Sequence, residues 1–63
     1  MKYSIYKHTF KDGRTYIGMT SRKPEERWRS GWGYREQPRL FEAIMRDGWN
    51  NMEHEILEVV ETE

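Results

Sequence analysis

The sequence predicts an α+β domain, a small three-stranded antiparallel sheet with two helices in the order β-β-α-α-β. Three observations predict it. A turn signal, Asp12-Gly13, separates two strand-like runs. Pro24 and Pro38 each open a stretch with helical character that glycine later closes. A loosely alternating run, Met52 to Val60, follows the second of them.

The first strand is expected from Tyr3 to Phe10 and the second from Thr15 to Gly18. Pro24 suits the first helical position, where its missing N–H removes no helical bond. Glu25 and Glu26 then lie at the positive end of the helix dipole. This short helix should end near Ser30, because Gly31 and Gly33 follow. In the second helix Leu40, Phe41, Ile44 and Met45 share one apolar face, and Gly48 is its natural stop. Met52 to Val60, ending in Ile56-Leu57 and two valines, forms the third strand.

With 63 residues there is room for one domain only, spanning residues 1–63. A chain of this size buries about 60% of its unfolded surface and is marginally stable. No cysteine is present to staple it or to hold zinc. No apolar run approaches the ~20 residues of a membrane span. The start, Met1-Lys2-Tyr3-Ser4-Ile5-Tyr6, has no signal-peptide h-region. A cytoplasmic protein without a membrane partner is expected by elimination. Zero net charge hides a split. Residues 1–35 carry nine basic side chains against three acidic ones, and residues 36–63 carry two against eight. A basic half can face a polyanion, or it can pair with the acidic half.

The Asp12-Gly13 turn allows two hairpin registers. A two-residue loop mixes apolar and polar residues on both faces. A three-residue loop, Lys11-Asp12-Gly13 with Gly13 left-handed, segregates them. It places Tyr3, Ile5, Ile17 and Met19 on one face, and Ser4, Tyr6, His8, Arg14, Tyr16, Gly18 and Thr20 on the other. The second register is the expected one. It sets Gly18 opposite Tyr6, away from the main apolar face, and leaves a shallow hollow beside two phenols. Two tyrosines, a glycine and nearby arginines such as Arg27 make a candidate phosphate-handling surface. A phenol with an ordinary pKa of about 10 is a poor base unless a cation or metal-bound water helps.

Ser4-Ile5-Tyr6, then Tyr16-Ile17-Gly18, Thr20, Arg27-Trp28, Gly31-Trp32-Gly33-Tyr34 and Gly48-Trp49-Asn50-Asn51 follow one another in this order. Together they resemble the GIY-YIG nuclease domain over nearly the whole chain. The resemblance implies the same three-stranded fold and a metal-dependent endonuclease that hydrolyses DNA phosphodiester bonds with Mg²⁺ or Mn²⁺. It implies that Tyr6 helps activate water, that Tyr16 sits beside it on the scissile phosphate, and that Gly18 permits close approach. Arg27 would stabilise the developing charge on phosphorus.

Three positions depart from the family pattern. Ser4 stands where the leading glycine would be. Gly31 stands where many members carry histidine one helical turn after the arginine, and Tyr34 is the substitute. The family's metal-binding glutamate lies on a helix after the third strand, and the chain is expected to be truncated before it. Glu61 or Glu63 could replace that glutamate only in unusual geometry. The alternative function is therefore a catalytically inactive nucleic-acid-binding module on the same fold.

Arg22, Lys23 and Arg29 flank the first helix and are candidate phosphate contacts, with Gly18 and Tyr34 on the same nucleic-acid surface. His8 and His54 lie on different strands, which is no metal-ligand signature. Trp28 and Trp49 suit the core. Trp32 is likewise expected in the core or half-core, although, set between two glycines, it is the one of the three with most scope to be exposed, where it could stack on a base.

Overall fold

The computed structural model describes residues 1–62. Strand β1 (Lys2–Thr9) and strand β2 (Thr15–Thr20) form a hairpin. Helix α1 (Pro24–Trp28) runs into a 3-10 segment (Arg29–Tyr34), and helix α2 (Pro38–Asp47) follows. A 3-10 turn (Trp49–Asn51) leads to strand β3 (Glu53–Glu61), which pairs antiparallel with the free side of β1. The sheet order is β2-β1-β3, so the fold is the α+β arrangement expected, in the order β-β-α-α-β.

The hairpin adopts the three-residue loop. Phe10 N–H donates to the Arg14 carbonyl at 2.8 Å, and Gly13, at φ 92°, closes the turn onto the Phe10 carbonyl. Asp12 accepts the Arg14 backbone N–H at 3.0 Å and its Nε at 2.8 Å, fixing the loop from within. The register then pairs Tyr6 with Gly18, His8 with Tyr16 and Ser4 with Thr20. β3 pairs Tyr6 with Ile56 and His8 with His54, with a bulge at Leu57.

Tyr6 and Tyr16 share a face as the register requires, but that face is the buried one. Tyr6, His8, Phe10 and Thr20 are buried beneath the helices. The apolar face with Ile17 and Met19 is open, these two being 54% and 60% exposed. The expectation that the tyrosines point away from the main packing face is thus corrected. Counting apolar residues favoured the wrong side, because this core is built from aromatic rings whose polar atoms find partners.

α1 ends at Trp28, two residues earlier than expected. Arg29 and Ser30 take left-handed φ values of 48° and 55°, and Gly31 follows at 97°. Such a run is costly for residues with a Cβ. It swings the chain close over α2, where a Cβ on Gly31 would stand 2.8 Å from Ile44 Cγ2. In α2, Ile44 is fully buried, and Leu40 and Ala43 pack against the core. Met45, expected on that apolar face, is instead mostly exposed at its edge. Gly48, at φ 87°, stops the helix with its N–H on the Ile44 carbonyl. No helix among the described residues is long and apolar enough to cross a membrane.

Candidate functional site

His8 is the hub of the inner face. Its ring is wholly buried and lies within about 6 Å, centroid to centroid, of Tyr6, Tyr16, Trp28, Tyr34, Trp49 and His54. Its Nε2 is 2.7 Å from the Tyr34 hydroxyl, and its Nδ1 is 2.8 Å from His54 Nδ1. His54 in turn stacks on Trp49 at 3.7 Å, with its Nε2 2.9 Å from the Trp49 carbonyl. A carbonyl can only accept, so His54 Nε2 carries a proton. With both rings neutral, the proton order runs one way. Tyr34 O–H donates to His8, His8 Nδ1–H donates to His54, and His54 Nε2–H donates to the carbonyl.

The environment keeps His8 neutral. Its pKa falls from 6.5 to about 4, first because burial disfavours the cation, then through His54 and Arg27. Tyr34 is pushed far above the ordinary phenol range, first by burial and then by the hydrogen-bonded Tyr6 hydroxyl. Arg27 opposes that shift without cancelling it. Tyr34 is therefore a donor at any ordinary pH and never a base.

Arg27 reaches the cluster from α1. Its guanidinium lies over the Tyr34 ring, 4.5 Å from the centroid, and Nη1 donates to the Gly33 carbonyl. Gly33 has no room for a Cβ, which would fall on the Arg27 backbone carbonyl. Tyr16 approaches Tyr34 from β2, edge to face at 5.7 Å. Tyr6, Tyr16 and Arg27, ten and eleven residues apart in sequence, therefore gather around Tyr34.

The gathering differs from the expected surface in three respects. The hollow opposite Tyr6 does not exist, because the Tyr6 ring fills it. A Cβ on Gly18 would lie 2.6–2.7 Å from that ring. Gly18, expected at a nucleic-acid contact, is half-buried and admits the Tyr6 ring beside it. Tyr34 is 0% exposed and Tyr6 1%, so neither presents an open face. Tyr34, expected on the nucleic-acid surface, instead positions Arg27 and His8. The accessible members are Tyr16 and Arg27. Tyr16 lines a cleft of about 240 Å³ with Arg14 and Arg39. Arg27 lines another of about 170 Å³ with Arg22, Arg29 and Arg35. Of the three candidate phosphate contacts, Arg22 and Arg29 thus line one cleft, whereas Lys23 is exposed outside that lining.

The His8–His54 pair was missed by reading the sequence. The face of His8 was legible from strand alternation, but its partner depended on how β3 pairs with β1. No group of three His, Cys, Asp or Glu side chains able to hold a metal ion occurs among the described residues. Both histidines have their ring nitrogens committed to hydrogen bonds. Glu61 is exposed at the end of β3, opposite Lys2, and Glu63 lies outside the described residues. The described residues do not fit the metal that the family resemblance implies. The chain matches no family model, no curated protein and no solved structure.

Proposed function

We propose that this chain is a DNA phosphodiester-hydrolysing domain of GIY-YIG type. One observation carries the reading. Tyr6, Tyr16 and Arg27, from β1, β2 and α1, converge on one buried ring, Tyr34, within a β-β-α-α-β fold. A guanidinium held by a backbone carbonyl and an aromatic face is preorganised for charge developing on a phosphate. Tyr16, half-buried beside it, can donate a hydrogen bond to a phosphate oxygen. Tyr6 lies buried in the same cluster, packed against Trp28 and Gly18.

A plasmid-nicking assay with Mn²⁺ tests the reading. Nicking is expected, and Arg27→Ala and Tyr16→Phe should each lower its rate by about 100-fold with the circular dichroism spectrum retained. Nicking that survives both substitutions would remove the assignment.

A second reading, a DNA-binding module without cleavage, is favoured by the missing metal-holding group among the described residues. It expects salt-sensitive DNA binding that weakens as Arg22 and Arg29 are neutralised, and no nicking in any divalent metal.

A further inference from the structure

A group of arginines lies beside the aromatic cluster. Arg22, Arg27, Arg29 and Arg35 line a single cleft of about 170 Å³, together with Glu26, Glu36, Trp32 and Gly33. Four arginines and two glutamates line this space, which leaves the lining net positive. The two glutamates offset part of that charge but form no ion pair with these arginines. Among the described residues the ion pairs are Lys7–Glu55, Arg14–Asp12 and Arg46–Asp47, and none involves these four arginines.

The backbone holds this arrangement at a conformational cost. Arg29 and Ser30 both sit in the left-handed region, and the turn they make carries Arg29, Trp32 and Arg35 to the cleft. Gly33 lets the chain pass against the Arg27 carbonyl, where any side chain would collide. The cleft is therefore a product of the fold and not of mobile surface side chains alone.

Trp32 adds the second chemistry. It is 54% exposed, the most exposed tryptophan of the described chain. One side leans on Phe41, with ring centroids 5.4 Å apart and 53° between planes. That contact holds the indole in place while leaving much of its surface open. A fixed, exposed indole among unpaired arginines is the combination that binds unpaired nucleotides. The cations take the phosphate, and the ring takes the base. A base inside a duplex is already stacked on both faces and cannot use the indole.

We propose that this cleft holds the phosphate of an unpaired DNA nucleotide whose base stacks on Trp32. The inference rests on the DNA reading above and narrows its substrate class. Arg27 belongs both to the cleft and to the Tyr34 cluster. The unpaired nucleotide therefore lies next to the phosphate that Arg27 and Tyr16 would handle. The preferred DNA is a duplex interrupted or ended by single strand.

The test is fluorescence anisotropy with three labelled DNAs of matched length, namely a single strand, a blunt duplex and a duplex with a single-stranded overhang. The wild-type chain should bind the overhang duplex roughly 10-fold more tightly than the blunt one. Trp32→Ala should abolish that difference and leave blunt-duplex binding in place. Trp32→Tyr should restore most of it. Arg29→Ala and Arg35→Ala should weaken all three complexes and each reduce the salt slope by about one. Circular dichroism of each variant separates lost binding from lost folding. Equal affinity for blunt and overhang duplexes overturns the inference and leaves the DNA reading standing. A preference that persists in Trp32→Ala does the same. A Trp32-dependent preference without nicking in any metal supports the inference and overturns the nuclease reading. Failure to bind all three DNAs overturns both.

Discussion

Ile17 and Met19, on the outer face of β2, stand largely in solvent, whereas His8, on the inner face of β1, is fully buried. The outer face also carries Tyr3 and Ile5, and it is the more apolar of the two. The residues of the helices and 3-10 turns that join the core pack on the other face, and on this one Tyr3 and Ile5 are only half-buried. The inner face holds Tyr6, His8, Tyr16, Tyr34 and His54, each bringing a polar atom into the interior. Burial follows satisfaction here more than hydropathy. A histidine with both nitrogens paired can be buried, and its ring then packs like any other aromatic. Among the side chains of the described residues, Trp28 Nε1 is buried with no partner.

Three experiments would break or sharpen this contrast. The largest effect is expected from His8→Ala. It empties the centre of the aromatic cluster and strips partners from Tyr34 and His54, for a loss of about 3–5 kcal/mol. A domain of this size should be unfolded or molten at room temperature, which near-UV circular dichroism and urea titration would register. A cooperative transition close to that of the wild type would show that His8 is not the hub.

Acid should act almost as strongly. The folded pKa of His8, about 4, lies below its ordinary 6.5, so the unfolded chain binds the proton more readily. Stability from this residue is complete above pH 6.5 and drains away as the pH falls toward 4, by about 3 kcal/mol. His54, Arg27, Tyr6, Tyr16 and Tyr34 face the ring, and beyond burial it is first His54 and then Arg27 that disfavour a cation on His8. Urea midpoints measured between pH 7 and pH 4 should fall continuously. A flat profile would remove the neutral relay from Tyr34 to Trp49.

The smallest effect belongs to the outer face. Ile17→Thr and Met19→Thr together should change stability by less than about 1 kcal/mol, because little buried area is lost and threonine suits an exposed strand. Thermal melts would check it. A loss comparable to that of His8→Ala would mean that the outer face is packed in solution against another surface.

The elements themselves were legible from local chemistry. Pro24 and Pro38 begin helices, Gly48 ends one, and Lys11-Asp12-Gly13 sets the hairpin register. Strand alternation then places Tyr6, Tyr16 and Gly18 on one face. The purpose of Gly18 was not legible, since a glycine opposite a tyrosine can leave a hollow or admit the ring. The early end of α1 also escaped, because only contact with Ile44 and Trp49 forces Gly31 into its turn.

Local sequence thus determined the order of elements, their boundaries within two or three residues and the register of the first hairpin, since these follow from backbone dihedrals and short-range turn chemistry. Tertiary structure alone decided which face became the core, how His8 met His54 across 46 residues, and how four arginines came to line one cleft. Those outcomes depend on the pairing of β3 and on the path between the helices. Both are set by long-range packing and hydrogen-bond satisfaction, which no local window contains.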